Sequence, residues 1–384
     1  MTSIREIIRR HFTSVKPLTA GMYHYIAPPE DPRNYRLHLR LEPDGTGVLI
    51  VNAATILHLN QTAAEYAFHL VQRTPEQDVT RLISARYHVH REQALSDFRT
   101  LVERIDSMVT TANLDPVEYL GFDRHIPYSG AISAPYRLDC AITYRLPPQA
   151  DPSAAPSKRI NRELTTAEWE QVMDKALQAG IPHIVFTGGE PTLRDDLAQL
   201  ITHTEHTGQV SGLITDGLRL ADSAYLNSLL QTGLDHAMIV LQPENPQAWV
   251  ALQNTLVDDL FVAVHLTLTP KNADSIPDLL ARLEKMGVKA ISLSSTDPAL
   301  KEPVRAAREL VANLHMKLVW DLPVPYSAAH PFALEIEDQE RVDGAGRAWL
   351  YVEPDGNVLP TQGVEQVLGN MLKDPWENIW QKKV

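Results

Sequence analysis

Between Tyr35 and Asn60 the chain reads YRLHLRLEPDGTGVLIVNAATILHLN. Apolar and polar positions alternate on both sides of a Pro-Asp-Gly turn, the period of a half-buried β-hairpin. From Asn60 the period lengthens to three and four residues, in TAAEYAFHLVQR, EQDVTRLISARY and REQALSDFRTLVERIDSMV. In the last of these Leu95, Phe98, Leu101, Val102 and Ile105 share one face, as in an amphipathic helix. A hairpin followed by three helices predicts a winged-helix-like unit over residues 1–109. Within it the predicted free edge is Thr46–Val51, beside the helix Arg91–Val109. Residues 110–135 are rich in turn formers, lack periodicity and predict a linker.

From Tyr136 onward strand and helix patterns alternate. The helix Thr165–Ala179 opens with a capping box (Thr165, Glu168) and aligns Trp169, Val172, Met173, Ala176 and Leu177 on one face. It stops at Gly180. Strand-like runs occur at LDCAIT, HIVFT, VSGLIT, HAMIVL, FVAVHLTL, KAISLS and KLVWDL, and glycines 208, 233 and 287 close helices between them. Such a series predicts an α/β fold with a parallel sheet, as a partial (βα)6-type TIM barrel over residues 136–325. Its site would lie at the C-terminal strand ends. A doubly wound open sheet is the alternative. Over residues 326–384 the pattern predicts a second hairpin around Pro354-Asp355-Gly356-Asn357, then a short amphipathic helix in LGNMLKDPWENIW.

Charge and cysteine content narrow the function. The formal net charge is −13 with no run of Lys or Arg, which argues against nucleic acid or an anionic membrane as partner. No apolar run reaches membrane-spanning length, and MTSIREIIRRHF lacks the apolar core of a signal peptide. A single cysteine, Cys140, allows no internal disulfide and fits a cytoplasmic setting. It falls mid-strand between Leu138 and Ile142, which predicts a core residue rather than a nucleophile.

The candidate chemistry gathers at two strand ends. In TGGEP (Thr187, Gly188, Gly189, Glu190, Pro191) the glycines could bring backbone close to a ligand, with Glu190 facing the barrel mouth to accept from an ammonium group. The plainer alternative is a tight βα turn with a solvated glutamate. TDG (Thr215, Asp216, Gly217) ends the next strand and either lines the same mouth or forms a turn leading to a helix cap at Asp222. The fifteen histidines show no metal spacing: His88, His90, His203 and His206 read as solvated surface. No nucleophile elbow, Ser-His-Asp order or phosphate-binding Gly-Lys-Ser/Thr is present.

These elements in this order resemble the radical S-adenosylmethionine (SAM) enzymes of the peptide-modifying branch. RLDCAITYR resembles their first barrel strand, TGGEP their SAM-amino-binding turn and LITDGLRL the next strand-end motif. ATILHLNQTAAEYAFHL with the two following helices is similar to a PqqD-like domain, a recognition element for leader peptides. YVEPDGNVLPTQG with LGNMLKDPWENIW is similar to the C-terminal extension called SPASM. The resemblance implies SAM contacts at Thr187–Pro191 and at Thr215 and Asp216.

The departures bear on the chemistry. The family's three cluster cysteines would align with Leu146, Ala150 and Ser153, and the first cysteine of the extension with Thr361. Thiolate ligation of a [4Fe–4S] cluster needs cysteines, so neither that cluster nor an auxiliary one is expected. Where the family often has serine near the end of the fourth strand, this chain has Val240 and Gln242. The expectation is a pseudoenzyme without a cofactor of its own, binding SAM weakly at most. It would bind a leader or precursor peptide during ribosomal peptide modification, and could present it to a separate modifying enzyme. The alternatives are a cluster-independent SAM-binding group-transfer enzyme and an active radical SAM peptide-modifying enzyme.

Overall fold

A computed structural model describes residues 15–28, 30–33, 35–52, 55–110, 132–256, 260–320, 322–333 and 343–381. The segment MTSIREIIRRHF and most of the predicted linker lie outside the described residues. The chain divides into two compact units, Met1–Ser133 and Ala134–Val384.

The first unit carries more sheet than its pattern predicted. Strands β1 (Gly21–Ile26), β2 (Arg36–Leu41), β3 (Gly47–Val51) and β4 (Thr55–Leu59) form a four-stranded antiparallel sheet in sequential order. The alternating run taken as one hairpin is three strands, because Thr55–Leu59 turns back along β3 at Val51↔Thr55. The proposed edge Thr46–Val51 is therefore no edge, since β3 is paired on both sides. Among the described strands the edges are β1 and β4. Helices α1 (Gln61–Val71), α2 (Glu76–Tyr87) and α3 (Arg91–Thr110) follow. Leu37, Leu39, Leu49 and Leu57 of the sheet meet Ala67, Ile83, Phe98 and Ile105 of the helices in one core.

The second unit is built on a ten-stranded sheet in the order β11-β10-β9-β8-β7-β6-β5-β12-β13-β14. Its parallel strands are β5 (Arg137–Thr143), β6 (His183–Gly188), β7 (Val210–Thr215), β8 (His236–Val240), β9 (Phe261–Leu268), β10 (Ala290–Ser295), the two-residue β11 (Lys317–Leu318) and β12 (Trp349–Val352). Helices α4 (Thr166–Ala179), α5 (Leu197–His206), α6 (Ser223–Leu230), α7 (Pro246–Thr255), α8 (Ile276–Lys285) and α9 (Lys301–Asn313) make the crossovers. From β5 to β11 each crossover steps to the next strand in one direction. A doubly wound sheet reverses direction midway, so the partial-barrel topology holds. The predicted capping box at Thr165 and Glu168 is present, and Gly180 closes α4 in the left-handed region.

The C-terminal segment differs from its reading. The hairpin of β12 and β13 (Asn357–Leu359) forms around Pro354–Asn357. Its first strand, β12, continues the sheet parallel to β5, with Trp349 opposite Arg137. The final helix α10 covers only Trp376–Gln381, and Gly369–Asn370 belong to β14. KLVWDL contributes two strand residues rather than six.

Alternate positions along a strand share a face. Val185, Ile214, Met238, Ala263 and Ala290, from five successive strands, pack into one cluster with no helix residue in it. They mark the inner face, opposite the helices, and this register places the candidate site.

Candidate functional site

The turn after β6 is fastened to the end of β5. Gly189 N–H donates to the Thr143 carbonyl at 2.8 Å, and Glu190 N–H to the Arg145 carbonyl at 2.9 Å. Gly188 has φ +123°, and a Cβ there would lie 2.2 Å from the Thr143 carbonyl oxygen. At Gly189 a Cβ would lie 2.2 Å from the Arg145 carbonyl oxygen. The two glycines thus permit close approach to the chain's own backbone, as the tight βα turn requires.

Glu190 is 4% exposed, so the solvated-glutamate alternative fails. Its Oε1 accepts from Thr192 N (2.9 Å), Thr192 Oγ1 (2.6 Å) and Thr215 Oγ1 (2.7 Å), and its Oε2 accepts from Asp216 N at 2.8 Å. The carboxylate thereby ties TGGEP to TDG on the adjacent strand, bringing both motifs together as predicted. Asp216 beside it has its carboxyl pushed up to about 8, by burial first and by the Glu190 charge second. Gly217 takes a left-handed φ, and Asp222 caps α6. Pro191 opens a short 3-10 turn, Pro191–Leu193.

A later segment lies across this turn on the inner face. Thr187 Oγ1 donates to the Pro323 carbonyl at 3.2 Å, and Tyr326 N–H donates to the Gly188 carbonyl at 2.9 Å. Residues Pro323, Val324, Pro325 and Tyr326 are all buried. The Tyr326 ring meets Tyr144 edge-on at 5.7 Å and Phe332 at 6.0 Å, and Leu146, Ile160 and Val364 pack around them. Tyr144 Oη donates to Glu353 Oε1 at 3.0 Å, and Arg159 pairs with the same carboxylate at 3.2 Å. Sequence reasoning missed this aromatic group, since its members come from three distant stretches.

The positions aligned with cluster cysteines do not converge on ligand atoms. Leu146 joins the aromatic group. Ala150 is half-buried and Ser153 exposed, in a turn where the Asp151 carboxylate accepts from Ser153 N. Thr361 Oγ1 accepts from Trp349 Nε1 at 3.3 Å. Cys140 is buried in β5, its thiol pushed well up by burial, and strand alternation puts it on the face opposite Ala141. Among the described residues no group of three or more His, Cys, Asp or Glu side chains could hold a metal ion. His88 and His90 are exposed as expected, whereas His203 is half-buried against Asp174 at 2.8 Å.

A charged open cleft of about 440 Å³ flanks the turn, lined by Arg145, Glu163, Leu164, Arg194, Asp195 and Asp196. Arg194 is spoken for: it donates to the Ile142 and Leu164 carbonyls and pairs bidentately with Asp196. Local sequence gives no signal of this staple, because the Ile142 and Leu164 carbonyls lie 52 and 30 residues away. No described helix is long and apolar enough to cross a membrane.

The chain matches no family model. It is 30% identical over 286 residues to the PqqA peptide cyclase of Methylobacterium nodulans, covering 65% of this chain and 73% of that protein. The PqqA peptide cyclase of Methylobacterium sp. is 27% identical over the same shares. In fold it is similar to Streptococcus suis SuiB bound to its precursor peptide SuiA, with TM-score 0.57 and 14% identity over 93% of this chain and 88% of that one. SuiB bound to SAM superposes with TM-score 0.55. Partial barrel, strand-end turn and relatives together define a radical SAM-type protein. The chain belongs to the family of the PqqA peptide cyclases.

Proposed function

We propose that this chain is a peptide-binding member of the family that does not itself perform radical chemistry, and that it presents a leader or precursor peptide to a separate modifying enzyme. The carrying observation is that the chain itself engages the strand-end turn. Pro323 and Tyr326 bind the Thr187 hydroxyl and the Gly188 carbonyl, and the Glu190 carboxylate already accepts from four donors, three on Oε1 and one on Oε2. Leu146 and Ala150 have no ligand atom, and the sole thiol, Cys140, is buried in β5. These residues do not fit a thiolate-ligated cluster, so no step is derived through one.

Peptide binding draws support from the relatives, named for the PqqA peptide, and from SuiB with its precursor peptide. Among the described strands of the first unit the edges are β1 and β4, where an added strand would gain main-chain hydrogen bonds. With the PqqA peptide as probe, hydrogen exchange should slow in one edge strand, Gly21–Ile26 or Thr55–Leu59, and stay unchanged in β3. Unchanged exchange at both edges would remove the peptide half of the reading.

Calorimetric titration with SAM tests the other half. A ligand ammonium must compete with the Glu190 partners, each a charge-assisted bond worth roughly 1.5–3 kcal/mol, so binding should be weak or undetectable. Tight binding lost in Glu190→Gln would favour a cluster-independent SAM-binding enzyme. Stoichiometric iron retained after anaerobic reconstitution and desalting would instead favour an active radical enzyme.

A further inference from the structure

The inner face carries a second polar group, on β9 and β10, that takes no part in the strand-end turn. His265 of β9 sits in register between Val240 of β8 and Ser292 of β10. In the next row toward the C-terminal strand ends, Thr267 is paired with Ser294. The His265 ring is fully buried. Its Nδ1 lies 3.0 Å from Ser292 Oγ, and its Nε2 lies 3.0 Å from Ser294 Oγ and 3.2 Å from Thr267 Oγ1. Burial, with a smaller contribution from His330, lowers its pKa to about 3, so the ring is neutral, with one N–H and one lone pair.

The hydrogen count of this group does not close. Three hydroxyls supply three hydrogens, and the ring lone pair accepts one of them, whichever tautomer is present. The hydroxyl receiving the ring N–H keeps its own hydrogen. No other hydrogen-bond partner of Ser292 Oγ, Ser294 Oγ or Thr267 Oγ1 exists among the described residues, so two hydrogens remain unspent. Ser292 and Ser294 are half-buried rather than covered, and Val240, Val319 and Leu322, also partly buried, flank the same face. The arrangement is a pair of uncharged donors set in an apolar surround and held by an imidazole that keeps both ring nitrogens occupied.

Uncharged donors call for an acceptor oxygen. A carboxylate would be desolvated here beside a neutral imidazole, with His330 the one potential cation acting on that ring, at a cost that a neutral amide carbonyl avoids. We propose that Ser292, Ser294 and Thr267, oriented by His265, form a subsite for a backbone carbonyl of a bound peptide. The proposal rests on the peptide-binding reading and adds to it a contact on the barrel unit, remote in sequence from the edges of the first unit.

The test is titration of the full chain, with its histidines labelled with nitrogen-15, using the blocked peptide acetyl-tetraalanine amide. Sodium acetate is the parallel arm, and His265→Gln assigns the ring signals. The expected result is a saturable shift of both His265 ring nitrogens with the peptide and none with acetate. Loss of one neutral hydrogen bond corresponds to roughly a two- to tenfold change in affinity, so Ser292→Ala with Ser294→Ala should weaken the peptide at least about fivefold. Thr267→Val is a second variant, for which a smaller loss is expected. No shift with the peptide, a shift with acetate alone, or undiminished affinity in the serine variants would overturn the proposal. Because the His265 signals report on this site alone, its failure leaves the exchange result at β1 and β4 standing, and the reverse.

Discussion

Gly189→Ala is expected to destabilise the barrel unit by about 3 kcal/mol or more, through overpacking against fixed backbone together with loss of buried hydrogen bonds. The added methyl would sit 2.2 Å from the Arg145 carbonyl oxygen and 3.0 Å from the carbonyl carbons of Tyr144 and Arg145. None of these atoms can rotate away. Relief requires the ends of β5 and β6 to separate, which breaks the Gly189-to-Thr143 and Glu190-to-Arg145 bonds. Gly188→Ala should cost at least as much, since its methyl meets the Thr143 carbonyl and its φ of +123° is strained for any L residue. Gly287→Ala is the control: its φ is +93°, but nothing lies within 4 Å of the new methyl, so about 1 kcal/mol of backbone strain alone is expected. Urea midpoints at unchanged slope measure all three. A loss below about 1 kcal/mol for Gly189→Ala would mean that the glycines serve a ligand rather than the chain.

The second large effect is a pH dependence set by Asp216. Its carboxyl titrates at about 8 in the folded chain, against roughly 4 in the unfolded one. Below the unfolded value both states are protonated and the stabilisation is complete. Between the two values only the folded chain keeps the proton, so stability falls as pH rises, and the loss is complete above about 8. Asp216→Asn supplies a permanently neutral group of the same shape. The variant should therefore lose stability less steeply than the natural chain between about pH 5 and pH 9 and exceed it at the alkaline end. Glu190→Gln should flatten the slope only in part, because burial, the larger cause, remains. Equal slopes in Asp216→Asn and the natural chain would show that Asp216 is not the titrating group.

Much of the fold was written locally. The capping box of α4 uses two side chains three residues apart, and its apolar face repeats within one helix. Strands β7 and β9 occupy VSGLIT and FVAVHLTL as read, because a strand buried on both faces leaves an apolar run with abrupt ends. The strand-end position of Thr187–Pro191 and its neighbour Thr215–Gly217 followed from the same order, since consecutive βα units lie side by side. The single cysteine was equally plain, since a residue count needs no coordinates.

Other features depended on partners far along the chain. Thr46–Val51 looked like an edge because nothing local says that Thr55–Leu59 folds back upon it. Glu190 was read as facing the barrel mouth, and its tie to the next strand was not legible because Thr215 and Asp216 lie 25 and 26 residues on. The pairing of β12 with β5 joins residues 349–352 to 137–140, and Tyr326 reaches Gly188 across a comparable separation. His265 gave no sequence signal at all, since its three hydroxyls are collected from two strands by register. Periodicity and caps are properties of neighbours in the chain, so the sequence alone determined most elements of the barrel unit and their order. Which polar atoms remain unspent depends on through-space pairing between distant segments, and only the tertiary structure decided that.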